Sequence, residues 1–139
     1  MQQQKVVMII DDDEDQLFIY ETMLKIEGFE VIAVRTAQEG LETLRQLHVD
    51  IVVCDLMMPA MCGREFIKRV REKNRGLKNL PVISFSSASS EIEPEVVKAG
   101  ADSFFSKSAP KEKLISQIVA LTNNAESREL LSSIQKRFS

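Results

Sequence analysis

The sequence predicts a doubly wound α/β domain, a five-stranded parallel sheet with helices on both faces. Two observations lead there. Short apolar runs alternate with helix-periodic segments from Lys5 to Leu121. Four of those runs end in chemistry-bearing residues: Asp11 and Asp12, Asp55, Ser86, and Lys107. Strands alternating with helices imply right-handed crossovers and a parallel sheet covered on both sides, with the usual strand order 2-1-3-4-5.

Lys5 to Ile10 reads as the first strand, closed by Asp11-Asp12-Asp13 and followed by Glu14 and Asp15. A helix then runs to about Glu27, with Leu17, Tyr20 and Leu24 on one face and Gly28 as its stop. Glu30 to Val34 is the second strand. Thr36 to Glu39 has capping-box spacing and opens a helix that turns Ala37, Leu41 and Leu44 inward. Residues 49–54 form an apolar third strand, which delivers Asp55 to its C-terminal end before the turn Met57-Met58-Pro59. A third helix starts near Gly63, with Phe66, Ile67 and Val70 inward, and decays into Lys73-Asn74-Arg75-Gly76.

Pro81 to Ser86 is the fourth strand, ending in the serine cluster Ser86 to Ser90. Pro94 suits the first turn of a short fourth helix that Gly100 closes. Ser103 to Ser106 is a shorter fifth strand ending at Lys107. A fifth helix runs from about Lys111 to Leu121, with Leu114, Ile118 and Leu121 on one face. Residues 1–122 therefore make one domain. Residues 123–139 are a helical extension or linker: Leu130, Leu131, Ile134 and Phe138 have amphipathic spacing. That stripe suits a helix folded on the domain and equally a connector or partner-pairing helix.

The composition bounds the class. With 139 residues, 44% hydrophobic and 28% charged, the chain has the make-up of an ordinary globular domain. No bilayer-length apolar run and no signal-peptide pattern occurs. Two cysteines, one inside the third strand, fit a reduced cytoplasmic setting rather than a disulfide scaffold. A net charge of -3 gives no support for direct nucleic-acid binding. The single His48 cannot form a histidine metal cluster and reads as a helix-end residue.

In a parallel sheet the ends of strands 1, 3, 4 and 5 share one edge. Singly, each residue there has an ordinary structural reading: Asp11 to Asp13 as helix caps, Ser86 as a turn residue, Lys107 as a solvated charge. Jointly they bring carboxylates, a hydroxyl and an ammonium to one patch. Crowded carboxylates call for a cation, and hard oxygen ligands suit Mg²⁺, or Mn²⁺ in its place. Such a set is equipped for phosphoryl transfer, with Asp55 as nucleophile and Lys107 and Ser86 neutralising and hydrogen-bonding the phosphoryl oxygens.

Four pieces then resemble the receiver domain of two-component response regulators: Ile10-Asp11-Asp12, Asp55 to Gly63, Pro81 to Ser87, and Ala99-Gly100-Ala101-Asp102 leading to Lys107. The resemblance covers roughly residues 5 to 122 and implies a flavodoxin-like, CheY-like fold. It further implies that Asp55 accepts phosphate from a phosphohistidine on a sensor kinase or phosphotransfer protein. Asp12, Asp55 and the Met57 backbone carbonyl would bind Mg²⁺, with Asp11 helping through water. Ser86 and Phe104 would be the switch pair, remodelling the face of helix 4, strand 5 and helix 5 for a downstream protein. A monomer or a phosphorylation-dependent dimer is the expected state, with catalysis confined to the protein's own phosphorylation and dephosphorylation.

Two features depart from the family pattern. Ser108 follows Lys107 where the family usually carries Pro in a cis peptide; a cis bond before Ser costs about 3 kcal/mol, so a trans loop is expected. Ser86 stands where Thr is commoner. Met57, two residues past the acceptor, cannot orient an attacking water, so a long-lived phosphoryl group is expected. It also lacks the second acid of a haloacid-dehalogenase-type phosphatase. An FMN site fits poorly, because Asp11 to Asp15 would repel a phosphate. A phosphorylation-independent pseudo-receiver is the alternative.

Overall fold

The computed structural model describes residues 4–55, 63–72, 77, 79–86 and 100–123. In chain order its elements are β1 (Val6–Ile10), α1 (Glu14–Ile26), β2 (Glu30–Val34), α2 (Ala37–Gln46), β3 (Ile51–Asp55), α3 (Gly63–Val70), β4 (Val82–Ser86) and β5 (Ser103–Ser106). A last helical stretch covers 111–123. The strands form one sheet in the order β2-β1-β3-β4-β5, and every pairing is parallel. This is the expected doubly wound sheet. The expected helix over 94–100, the serines at 87–90, Met57 and the tail from 124 onward lie outside the described residues.

The period-two alternation of strand side chains divides the core in two. Val7, Ile9, Ile51 and Val53 face α1 and the 111–123 helix, together with Leu17, Leu24, Leu114 and Ile118. Met8, Ile10, Val52 and Cys54 face α2 and α3, packing on Leu41, Leu44, Phe66 and Ile67. β3 and β4 are buried along their whole length, as expected of strands covered on both faces. Each fully buried aliphatic or aromatic side chain contributes about 1.5–3 kcal/mol relative to exposure, so this double core dominates the fold's stability. Gly40 lets α2 sit close to β1: a Cβ there would lie 2.6 Å from Ile10 Cδ1 and 3.2 Å from Phe66.

Helix ends follow their local chemistry. Asp13 caps α1, its Oδ1 accepting from the N–H groups of Asp15 and Gln16 at 3.0 and 3.2 Å. The helix closes in a Schellman arrangement, Phe29 N–H donating to Leu24 O and Gly28 N–H to Lys25 O, with Gly28 at φ 98. Thr36 Oγ1 caps α2 through the Glu39 N–H at 3.1 Å.

Three local expectations are adjusted. β3 begins at Ile51 and includes Asp55 as its last residue, because Asp55 still pairs in register with Phe85. Asp50 stays outside the strand and accepts the Val6 N–H at 2.7 Å, tying down the start of β1. His48 is not a helix-end residue: α2 stops at Gln46 and Leu47 is its C-cap. His48 lies beyond, with Nε2 2.9 Å from Asp50 Oδ1.

Candidate functional site

Parallel pairing places the ends of β1, β3, β4 and β5 side by side, and the polar residues follow. Asp11 and Asp55 are buried, and Asp12 is half-buried between them and solvent. One carboxylate oxygen from each of Asp11, Asp12 and Asp55 lies within 4.8 Å of the others. Lys107 closes the group: its Nζ donates to Asp11 Oδ2 at 3.3 Å and to Asp55 Oδ2 at 3.4 Å. The same ammonium stands over the Phe85 ring, 4.7 Å from its centroid. The acidic run after β1 therefore divides by role. Asp13 is the helix cap, while Asp11 and Asp12 belong to the cluster.

Burial pushes the Asp11 carboxyl up to about 6, and the negative charge of Asp55 adds to the rise. The Asp13 N–H, which donates to Asp11 Oδ1 at 2.9 Å, and the Lys107 charge pull the other way without restoring the ordinary value. Tyr20, stacked edge-on against Phe85, has its phenol pushed up by burial and then by the Asp11 charge.

The family described as the response regulator receiver domain matches residues 7–119. The chain belongs to this family. Over 136 residues the receiver chain is 31% identical to the transcriptional regulatory protein CpxR homolog of Haemophilus influenzae. That alignment covers 91% of this chain but 57% of the relative, so the chain spans a little over half of that protein. It is 25% identical over 122 residues to the polar-differentiation response regulator DivK of Brucella ovis, covering 87% of this chain and 98% of DivK. The CheY-like receiver domain protein of Methanospirillum hungatei JF-1 superposes with a TM-score of 0.81 at 26% identity, covering 91% and 99% of the two chains.

Within the receiver fold, Ser86 ends β4 and is buried, and its carbonyl accepts the Lys107 N–H at 2.9 Å. Strand parity and register put Ser86 on the same sheet face as Phe104, which lies two residues back along the neighbouring strand. Phe104 is 8% exposed and packs in the α2–α3 core. Asp55, Phe85 and Lys107 serve the opposite, α1-facing side.

Among the described residues no peptide bond is cis, so Lys107–Ser108 is trans. Ser106 organises the loop instead. Its Oγ lies 2.8 Å from Ser108 Oγ and accepts the Ser108 N–H at 3.3 Å, and its carbonyl accepts the Ala109 N–H at 2.9 Å. Two further contacts lie outside the sequence motifs. Gln16 Oε1 accepts from Lys107 Nζ at 2.6 Å. Arg71 clamps Gly100, Leu80 and Asp102. The first left a faint signal in the spacing from Asp13 to Gln16, which is that of a capping box; the second left none.

Proposed function

We propose that this receiver domain is a phosphorylation-dependent switch whose Asp55 takes a phosphoryl group from a phosphohistidine on a partner kinase or phosphotransfer protein. The observation that carries this reading is the meeting of Asp55 with two other carboxylates and the Lys107 ammonium at one strand edge. In the transfer, an Asp55 carboxylate oxygen bonds to phosphorus as the donor's N–P bond breaks. The electron pair returns to the imidazole nitrogen, and an acyl phosphate is the product. In this reading Lys107 neutralises charge on the phosphoryl oxygens, and Ser86 donates a hydrogen bond to one of them.

The donor set fits a hard divalent cation: it is all oxygen, and its most buried member holds its proton to about 6. Asp12, Asp55 and the Met57 carbonyl, with Asp11 assisting, would hold Mg²⁺, or Mn²⁺ in its place, which would supply charge neutralisation for the phosphoryl oxygens. Folded Asp11, at about 6, binds its proton more tightly than the ordinary carboxyl at 3.8. Its contribution to metal-free stability is therefore lost as pH rises across that interval and is constant above it. Cation binding must displace the same proton. The apparent Mg²⁺ affinity is thus expected to climb from about pH 5 to about pH 7, with release of up to one proton, and then to level off. Calorimetric titration in buffers of different ionisation heat measures both quantities; an affinity flat across that range contradicts the assignment.

A protein donor is supported by α1, which starts at the site and carries an exposed apolar stripe in addition to its buried face. Phe18, Ile19 and Ile26 are 67%, 46% and 78% exposed. An apolar stripe of this kind marks a surface that a protein partner can cover. Downstream, phosphorylation adds close to two negative charges at Asp55. Ser86 is drawn toward them and Phe104 moves into the space released. The face of strand 5 and its flanking helices then presents a second state to a protein partner. We place the protein in the cytoplasm, acting as a signalling phosphoacceptor rather than as an enzyme on a separate substrate.

The test is intact mass after incubation with Mg²⁺ and acetyl phosphate or phosphoramidate, followed by peptide mapping. The expected result is a gain of about one phosphoryl group, mapped to Asp55 and decaying over minutes or longer. No gain from any donor, with the fold intact, makes the chain a pseudo-receiver.

A further inference from the structure

Among the described residues, the Lys107 ammonium lies beside Gln16 Oε1 at 2.6 Å, Asp11 Oδ2 at 3.3 Å, Asp55 Oδ2 at 3.4 Å and the Phe85 ring at 4.7 Å. The shortest contact is to a neutral amide rather than to either carboxylate. Gln16 occupies the third position of α1, and its N–H is held by the Asp13 cap at 3.2 Å. Asp13 and Gln16 stand at capping-box spacing, in which the later side chain ordinarily turns back to the cap residue's own N–H. That N–H is already taken, because it donates to Asp11 Oδ1 at 2.9 Å. The Gln16 amide is thereby released from capping and meets Lys107.

The result is a closed circuit of hydrogen bonds from Asp11 to Asp13, to Gln16, to Lys107 and back to Asp11. It joins the first turn of α1 to the loop after β5, across 91 residues of sequence. A neutral acceptor suits this position. Two carboxylates, Asp11 and Asp55, already contact the ammonium, and a third, Asp12, is clustered with them. A fourth would compete with Asp55 for Lys107 and increase the repulsion, whereas an apolar side chain would leave the ammonium one acceptor short.

We propose that Gln16 is a positioning residue that holds the Lys107 ammonium over Asp55 and so sets the rate of phosphoryl uptake, an assignment that rests on the phosphoacceptor reading above. Gln16 need not touch the phosphoryl group. It acts through the placement of Lys107.

Two variants test this: Gln16→Met, of similar length without an acceptor, and Gln16→Glu, which keeps an acceptor. The first readout needs neither metal nor phosphate. In the metal-free protein, the side-chain ammonium signal of Lys107 in a ¹H–¹⁵N spectrum, assigned by its loss in Lys107→Met, should be visible in wild type and Gln16→Glu and broadened away in Gln16→Met. The second readout is the rate of phosphorylation by phosphoramidate at saturating Mg²⁺. Gln16→Met should be slower by about 10-fold, with the donor concentration for half-maximal rate unchanged. A Gln16→Met protein that keeps the Lys107 signal, or phosphorylates within about twofold of wild type, overturns the proposal, even if its thermal stability is lower, because loss of a helix-end contact alone gives that pattern. Should wild type take up no phosphoryl group, the phosphoacceptor reading fails, and the metal-free spectrum still decides whether Gln16 holds Lys107.

Discussion

Asp55→Asn is expected to abolish phosphoryl uptake from every donor while leaving the fold in place. The substitution is close to isosteric at a site 4% exposed at the end of β3. The carboxamide keeps an oxygen of the same shape but carries no anionic pair able to attack phosphorus, so the loss should be complete rather than graded. It also removes one of the three clustered carboxylates proposed to hold the cation, and Mg²⁺ affinity should fall by about 10-fold or more. Mass spectrometry reads the first effect and calorimetry the second, with far-UV circular dichroism and thermal unfolding as the check on folding. Continued uptake by the Asp55→Asn protein would move the acceptor to Asp11 or Asp12 and undo the assignment of roles.

Arg71→Ala is expected to lower stability by about 2–4 kcal/mol without touching the site. Arg71 follows α3, and its guanidinium donates to Gly100 O through Nε and Nη2 at 3.1 and 2.9 Å, to Leu80 O at 2.6 Å and to Asp102 Oδ2 at 2.8 Å. Asp102 in turn accepts the Val82 N–H at 2.8 Å. One planar group thus pins the end of α3 to the starts of β4 and β5, and its loss takes a donor from the carbonyls of Gly100, Leu80 and Leu77 and the charged partner from Asp102. Lysine should rescue little, since a single ammonium cannot match the fork. Urea unfolding measures the change. Arg71→Ala and Asp102→Ala should be strongly non-additive, and additivity would show that the two do not act as one clamp.

The contrast between these two residues shows what a chain can disclose about itself. Asp55 was legible because its signal is local: an apolar run, then one acid, then a turn. The same local grammar carried Asp11, Asp12, Ser86 and Lys107, since strand ends in a parallel sheet necessarily share an edge. It carried the core as well; Leu17, Tyr20, Leu24, Phe66, Ile67, Val70, Leu114 and Ile118 are all buried where their periodicity put them. Leu121 is only partly buried, while Thr122 beside it is buried.

Arg71 and Gln16 were not legible, and the reason is distance along the chain. Arg71 and Asp102 are 31 residues apart, and Gln16 and Lys107 are 91 apart. Neither pair has a spacing rule, because their meeting depends on how several elements pack. His48 misled for a related reason: its partner Asp50 is close in sequence, but only the pairing of β1 beside β3 showed what Asp50 holds.

By itself the sequence determined the fold class and the residues that end its strands, since periodicity and strand ends are properties of neighbours in the chain; the strand order was the usual one for that fold, and the structure has it. Tertiary structure alone decided which acid caps α1 and which two join Asp55. It alone decided that Ser106 shapes the Lys107 loop and that Gln16, rather than a carboxylate, makes the shortest contact to the ammonium. Those choices are competitions among donors and acceptors within hydrogen-bond reach, and register and packing set that reach.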